Sequence, residues 1–362
     1  MGRDRGGSLR PNSGPRTMAV FKLNCPARPG RVRPWMRMLA LIVLLAACLC
    51  PGQDRTTTAP PFSFRLSGQE YVDLDTWARA NRLSLTWIKK GEDLQVFNRW
   101  AKLVFKIDSH RAEINGTAVW LSFAVAGRNG SAYVAQPDLQ NLIHPILFPA
   151  KSRTAGRIRT VVLDPGHGGK DPGNQASRSL EKQYTLLLAR EIRSRLQNAR
   201  LNTVLTRTTD KFISLESRPA LAQRAGADVF VSLHYNYAPG AHNGIRGVEV
   251  YCLTPAGAES TNGNGETDGH SYPGNRYNTQ NVQLAFQVQR ALVNNLGIED
   301  RGVRRARWAV LRTAEMPAIL IECGFMSDPT EAARIYSPAY RRQAAQAIAD
   351  GILAYKRLAE RR

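Results

Sequence analysis

The chain has 362 residues, 43% hydrophobic and 22% charged, which is room for two modest folded units beside a leader and unlike a disordered or fibrous protein. Its formal charge is +21, but residues 1–37 alone contribute +8 and the rest is scattered Arg, with no recognisable nucleic-acid module and no basic helix interleaved with aromatics, so a nucleic-acid binder is the reading the charge favours least. Five cysteines without a C-x-x-C pair also exclude cysteine-held zinc and a disulfide framework.

In chain order, residues 1–48 read as a leader and signal. Met38–Ala47 is uncharged and apolar behind Arg37, too short to cross a bilayer and of the right length for a signal core. It ends in Leu45-Ala-Ala-Cys48, which resembles a lipobox, so Cys48 is a candidate for lipidation and membrane anchoring; an ordinary signal cut nearby is the plainer alternative. Met18 or Met36 would serve as starts that leave a compact basic region. Either route exports the protein to the periplasm or cell envelope, and a basic surface suits an anionic wall or membrane face. Residues 49–61, rich in Pro and Thr, form a linker.

Residues 62–150 read as a small strand-rich α+β N-terminal domain, a binding or spacer module. A helix is predicted near Asp75–Asn81, followed by strands at Leu83–Trp87, Leu94–Phe97 and Leu103–Ile107. Asn115-Gly and Asn129-Gly are hairpin turns. After a basic linker at Lys151–Arg157, residues 158–358 alternate between strands and helices. Strands are expected at Ile158–Leu163, Leu201–Thr206, Val229–Leu233, Val248–Leu253 and Ala318–Ile321. Helices are expected at Glu181–Gln197, Leu215–Ala225, Val282–Leu296 and Ala339–Leu358. This alternation predicts an α/β sandwich with helices covering a sheet. Between Cys252 and Gln280 the chain is rich in Gly, Asn, Thr and Pro and has no hydrophobic period, so a long loop is expected.

Four residues in this second unit carry the chemistry. His167 follows the apolar Val161-Val-Leu, His234 ends Asp228-Val-Phe-Val-Ser-Leu, and Glu322 ends Ala318-Ile-Leu-Ile. Polar residues at strand tips converge on one edge of a sheet, and Glu181 opens a helix fourteen residues after His167. Two imidazoles and a carboxylate make a zinc site with an open position, and a further carboxylate handles protons, a combination that suggests a hydrolase. Asp164 is a candidate for orienting an imidazole. His110, His144, His242 and His270 are read as ordinary structural or surface histidines.

The motifs Val162-Leu-Asp-Pro-Gly-His-Gly-Gly-Lys-Asp-Pro-Gly173, Glu181-Lys182, Leu205-Thr-Arg207, Ser232-Leu-His-Tyr-Asn236, Asp300-Arg-Gly-Val303 and Ile321-Glu-Cys-Gly-Phe325 occur in that order. Over residues 158–358 the chain resembles the zinc-dependent N-acetylmuramoyl-L-alanine amidases of cell-wall turnover and daughter-cell separation. The resemblance implies that His167, Glu181 and His234 bind Zn2+ and that Glu322 is the general base. It also implies a mixed sheet of about six strands flanked by helices. The implied reaction is hydrolysis, in peptidoglycan, of the amide between the lactyl group of N-acetylmuramic acid and L-Ala of the stem peptide. Arg218 matches an Arg of the family with a structural role. Asn236 and Arg301 are candidates for touching substrate, with a hydrogen-bonded turn and a surface ion pair as the alternatives. Pro165 replaces the family's usual Ala. Some members carry a helix that plugs the site until an activator displaces it; the Gly/Asn-rich segment here is a poor helix former, so no activator protein is expected to be required. The competing readings are a zinc peptidase acting within the stem peptide and a non-catalytic wall-binding lipoprotein.

Overall fold

Residues 158–358 supply six strands of one sheet, five from the expected apolar runs and one, arginine-rich, that no run marks. The computed structural model describes residues 63–149, 157–176, 179–238, 244–262 and 267–361. The residues read as leader, signal with Cys48 and linker, 1–61, lie outside the described residues. The strands are β10 (Thr160–Pro165), β13 (Asn202–Leu205), β14 (Val229–Asn236), β15 (Val248–Leu253), β16 (Asp300–Ala306) and β17 (Ala318–Phe325). A two-residue hairpin, β11 (Gln175–Ala176) and β12 (Ser179–Leu180), precedes the first long helix. Four strands run parallel in the order β13-β10-β14-β17; β15 pairs antiparallel with β17 and parallel with β16. The mixed α/β sheet expected for this region is therefore present.

The sheet does not end at β16. Preceding residues supply β1 (Ser63–Leu66), β2 (Gln69–Asp73), β3 (Ser84–Lys89), β4 (Asp93–Phe97), β5 (Lys102–Lys106), β6 (Arg111–Ile114), β7 (Thr117–Trp120), β8 (Ala126–Arg128) and β9 (Ser131–Ala135), with helix α1 (Leu74–Ala80) after β2. β7 lies parallel beside β16 with Val119 opposite Val303, and the antiparallel meander β7-β6-β5-β4-β3 extends the sheet to eleven strands. Asn115 and Asn129 and the glycines after them all have positive φ, as a two-residue type I′ hairpin turn requires. β1, β2, β9 and β8 form a separate small sheet.

Side chains alternate between the two faces of a strand, so the sheet builds two cores. On one face Val161, Leu163, Val229, Val231, Leu233, Ile319 and Ile321 are buried under α2 (Glu181–Asn198), α4 (Asn278–Leu296) and α6 (Pro338–Ala359). On the other, Val162, Phe230, Leu320, Tyr251 and Leu253 pack with Ala222 of α3 (Ser217–Arg224) and with Val310, Leu311 and Met316. Burying each such aliphatic side chain stabilises the fold by about 1.5–3 kcal/mol relative to exposure. His234 and Glu322, paired across β14 and β17, follow by alternation on this second face.

One helix departs from its expected bounds and another has no counterpart among the expected ones. α4 begins at Asn278, because Asn281 is buried and both donates to Gly274 O and accepts from Ala318 N, which draws a polar first turn into the helix. A separate helix α5 (Pro329–Tyr336), capped by Asp328 through Glu331 N at 2.9 Å, precedes α6. Among the described residues of the 252–280 segment, the one helical turn before α4 is the 3-10 stretch Pro273–Tyr277. No helix among the described residues is long and apolar enough to cross a membrane.

Candidate metal centre

β10 ends at Pro165, and the chain then turns so that His167 sits at φ +61. This costly conformation is held by buried arginines on both sides. Arg207 Nε donates to Pro165 O at 3.0 Å and its Nη2 to Gly166 O at 2.9 Å, while Arg218 Nη1 and Nη2 donate to Pro165 O and His167 O, each at 3.1 Å. Arg218 thus has the structural role implied for it, and Arg207, quoted in the motifs, shares it. Asp164 compensates the charge: it is fully buried, accepts from Arg218 Nη1 at 2.8 Å, and also accepts from the hydroxyls of Thr206 and Ser232. Its hydrogen-bond partners are an arginine and two hydroxyls. The carboxylate on His167 is Asp171, which accepts from Nδ1 at 2.9 Å and is itself held by Gly173 N at 3.0 Å.

Glu181 is the first residue of α2 and is buried. Its Oε2 lies 3.1 Å from His167 Nε2 and its Oε1 3.1 Å from His234 Nδ1. Backbone N–H groups of Asn174 and Tyr235 donate to the same two oxygens at 2.8 and 3.0 Å. The imidazole rings stand nearly perpendicular, at 82°, with centroids 4.9 Å apart. One donor atom from each of His167, Glu181 and His234 lies within 4.8 Å of the others. Two glycines make this approach sterically possible: a Cβ on Gly166 would collide with the His234 ring, and one on Gly173 would lie 2.6 Å from Glu181 Oε2. Burial works against ionisation of Glu181, but hydrogen bonds from both histidines outweigh it and hold the carboxyl far below its ordinary range. For His167, burial opposes the charge and the carboxylates of Glu181 and Asp171 overcome it, raising its pKa. Two nitrogens and a carboxylate facing one point, with the Nδ1 side of His167 tied to Asp171, are a donor set that fits zinc.

Glu322 reaches the same face by strand register. It lies opposite His234 in the β14–β17 pair and opposite Glu249 in the β17–β15 pair. Its Oε2 is buried and, among the described residues, has no hydrogen-bond partner. Burial, and then the charges of Glu181 and Glu249, push its carboxyl well above the ordinary range. A buried carboxyl left without a donor is costly, and perturbed groups of this kind cluster at functional sites.

The two remaining candidates separate. Asn236, at the end of β14, accepts from Tyr237 N at 2.8 Å, which is the turn arrangement. Arg301 is half-buried and pairs with Glu249, where Arg304 joins it, and also with the exposed Glu299 at 4.0 Å. Sequence reasoning missed Asp171, Glu249 and Arg304. Asp171 had a signal, four residues beyond His167 in the same Gly-rich motif; Glu249 sits inside an apolar run, and only its pairing exposes it.

A family model described as N-acetylmuramoyl-L-alanine amidase matches residues 161–354. The chain is 33% identical over 289 residues to the probable cell wall amidase LytH of Staphylococcus epidermidis, covering 79% of this chain and 82% of the relative. It is 33% identical over 199 residues to the N-acetylmuramoyl-L-alanine amidase LytC of Bacillus subtilis, covering 55% of this chain and 36% of that one. With the N-acetylmuramoyl-L-alanine amidase AmiC of Neisseria meningitidis it shares 34% over 232 residues, 57% of this chain and 55% of that one. The chain thus spans about a third of the length of LytC and about half of AmiC. Among solved structures, an N-acetylmuramoyl-L-alanine amidase from Clostridium difficile 630 is 33% identical and is matched over 55% of this chain and 97% of that one, with a TM-score of 0.47. By the extent of the family match and of the LytH alignment, this chain belongs to the N-acetylmuramoyl-L-alanine amidase family.

Proposed function

We propose that the protein hydrolyses the amide between the lactyl group of N-acetylmuramic acid and L-Ala of the peptidoglycan stem peptide. The observation that carries this is the convergence of His167, Glu181 and His234 beside the unpartnered carboxylate of Glu322, in a member of an amidase family. His167, Glu181 and His234 would hold Zn2+. Bound there, zinc supplies Lewis-acid polarisation of the scissile carbonyl. Glu322, with its pKa raised and an oxygen free to accept, takes the proton of the attacking water and delivers it to the departing L-Ala amine. Asp171 keeps the proton of His167 on Nδ1, so that Nε2 presents its lone pair.

The test is to incubate the purified protein, with no second protein added, with a defined muropeptide and to identify the new amine. A free L-Ala amino group with the sugar intact is expected, and a chelator should abolish its release until zinc is restored. L-Ala still attached to muramic acid, with a cut further along the peptide, would overturn this reading in favour of a stem-peptide peptidase. Activity without an added partner is expected because the 252–280 segment is rich in Gly and Asn. We assign the protein to the cell envelope through the apolar signal at 38–47, with Cys48 as the candidate lipid anchor and residues 62–150 as a binding or spacer module.

Removing the orienting carboxylate gives a graded effect. Asp171→Ala leaves His167 in place but frees its tautomer and ring rotation, and zinc affinity is expected to fall about 10–100-fold in a competition titration. Unaltered affinity would remove Asp171 from the site.

A further inference from the structure

The sheet face that carries Glu322 continues toward β7 as a row of polar side chains. Glu249 stands opposite Glu322, and on the next strand Arg304 stands opposite Tyr251. Arg301 Nε donates to Glu249 Oε1, Arg304 Nε lies 3.3 Å from Oε2, and the Tyr251 hydroxyl donates to Oε2 at 2.5 Å. Glu249 is thereby saturated with donors and buried, so it is not available as a second base. Both guanidinium groups meet this one carboxylate, and Arg301 Nη1 also lies 4.0 Å from Glu299 Oε1.

Both guanidinium groups are held in place. Arg304 Cζ lies 4.3 Å from the centroid of the Trp120 ring, and Arg301 Cζ lies 5.1 Å from that of Phe325. Trp120 Nε1 donates to Arg301 O at 2.7 Å, so β7 buttresses both. The Arg301 and Arg304 side chains remain 25% and 12% exposed. Among the described residues the Nη atoms of Arg304 have no hydrogen-bond partner. A rigid guanidinium with an open Nη fork is suited to a carboxylate.

We propose that Arg301 and Arg304 form a carboxylate-binding subsite that engages the peptide side of the substrate, an inference that rests on the amide-hydrolysis reading above. The side of the bond follows from the chemistry. The lactyl carboxyl is consumed in the scissile amide and carries no charge, whereas an acidic residue following L-Ala carries a free carboxylate. The spacing agrees. Strands lie about 4.8 Å apart, so β16 is about 10 Å from β17, and its long side chains reach back over Glu249. A carboxylate one residue beyond L-Ala lies about 7 Å of extended backbone from the scissile carbon. The strands before residue 150 thus serve the site through Trp120, which fixes Arg304.

The experiment compares kcat/KM of the purified full chain on two synthetic muramoyl dipeptides. One is muramoyl-L-Ala-D-Glu with its α-carboxylate free, and the other is the same molecule with that group as a carboxamide. The wild-type protein should prefer the carboxylate by about tenfold, the scale of one charge-assisted hydrogen bond. Arg304→Gln should bring the ratio to within about twofold by slowing the carboxylate substrate more than the carboxamide, and Arg304→Lys should restore part of the preference. A wild-type ratio near one, or a preference that survives both Arg304→Gln and Arg301→Gln, overturns the subsite. Failure of the wild-type protein to open the lactyl amide of either compound would instead overturn the amidase reading, and the subsite with it.

Discussion

Glu322→Gln is expected to lower kcat for muropeptide hydrolysis by about 10²–10⁴-fold, the range that a positioned general acid or base contributes. The carboxamide has the shape of the carboxyl but cannot take a proton from water. Zinc affinity should stay within a few-fold of wild type, because the three converging donors are His167, Glu181 and His234. The fold should not suffer either. Glu322 Oε2 accepts no hydrogen bond among the described residues, so the substitution removes none, and it relieves the repulsion exerted by Glu181 and Glu249. Thermal stability is therefore expected to be unchanged or raised, the usual signature of a residue kept for function at a cost in stability. Single-turnover kinetics alongside a zinc titration and a melting curve separate these effects. Undiminished cleavage with zinc bound would sink the role assigned to Glu322.

The second large effect concerns stability. Asp138→Ala should destabilise the protein by about 3–5 kcal/mol, because it strands a buried guanidinium. Arg305 of β16 is 1% exposed and Asp138 fully buried. Arg305 Nη1 donates to Asp138 Oδ1 at 3.2 Å and to Ser122 Oγ at 3.1 Å, and Nη2 donates to Asn141 O at 2.8 Å. Asp138 also accepts from the N–H groups of Ser122 and Phe123 at 2.9 and 3.0 Å. Burial pushes the Asp138 carboxyl above its ordinary range against the pull of Arg305 and of these two N–H groups. Every one of its partners is nonetheless a donor, so the site is built for the carboxylate. Urea unfolding followed by Trp fluorescence would measure the change, and a shift below about 1 kcal/mol would show that the pair does not join the early strands to β16. Arg305 and Arg304 are consecutive and point to opposite faces, so a β16 loosened on one face is also displaced on the face that holds Glu249.

Much of this was legible before folding. The strands of residues 158–358 that are buried on both faces are continuous apolar runs, and they lie where expected to within a few residues. His167, His234 and Glu322 announced themselves as polar residues at or just after the ends of such runs, and Glu181 as the opening of a helix, all within ordered motifs. β16 was not legible as a strand, because Asp300-Arg-Gly-Val-Arg-Arg-Ala306 contains three arginines and one large aliphatic residue. It is a strand because Glu249, Asp138 and Trp120 neutralise or cover those arginines, and each of these partners is more than fifty residues away.

The choice between Asp164 and Asp171 is of the same kind. Both lie within four residues of His167 in the chain, and residue type alone ranks them equally. Which carboxylate meets the imidazole was decided by the turn at His167 and by Arg218, which arrives from a helix some fifty residues later and claims Asp164. The amino-acid order by itself determined the donor types, the strands that carry them and the family, because these depend on local apolar patterns and short motifs. Only the tertiary structure decided which charges pair, that Glu322 is left without a donor, and that the sheet runs on through β7 to place Trp120 over Arg304. Pairing energies depend on distances across strands, and those distances exist only once the sheet has formed.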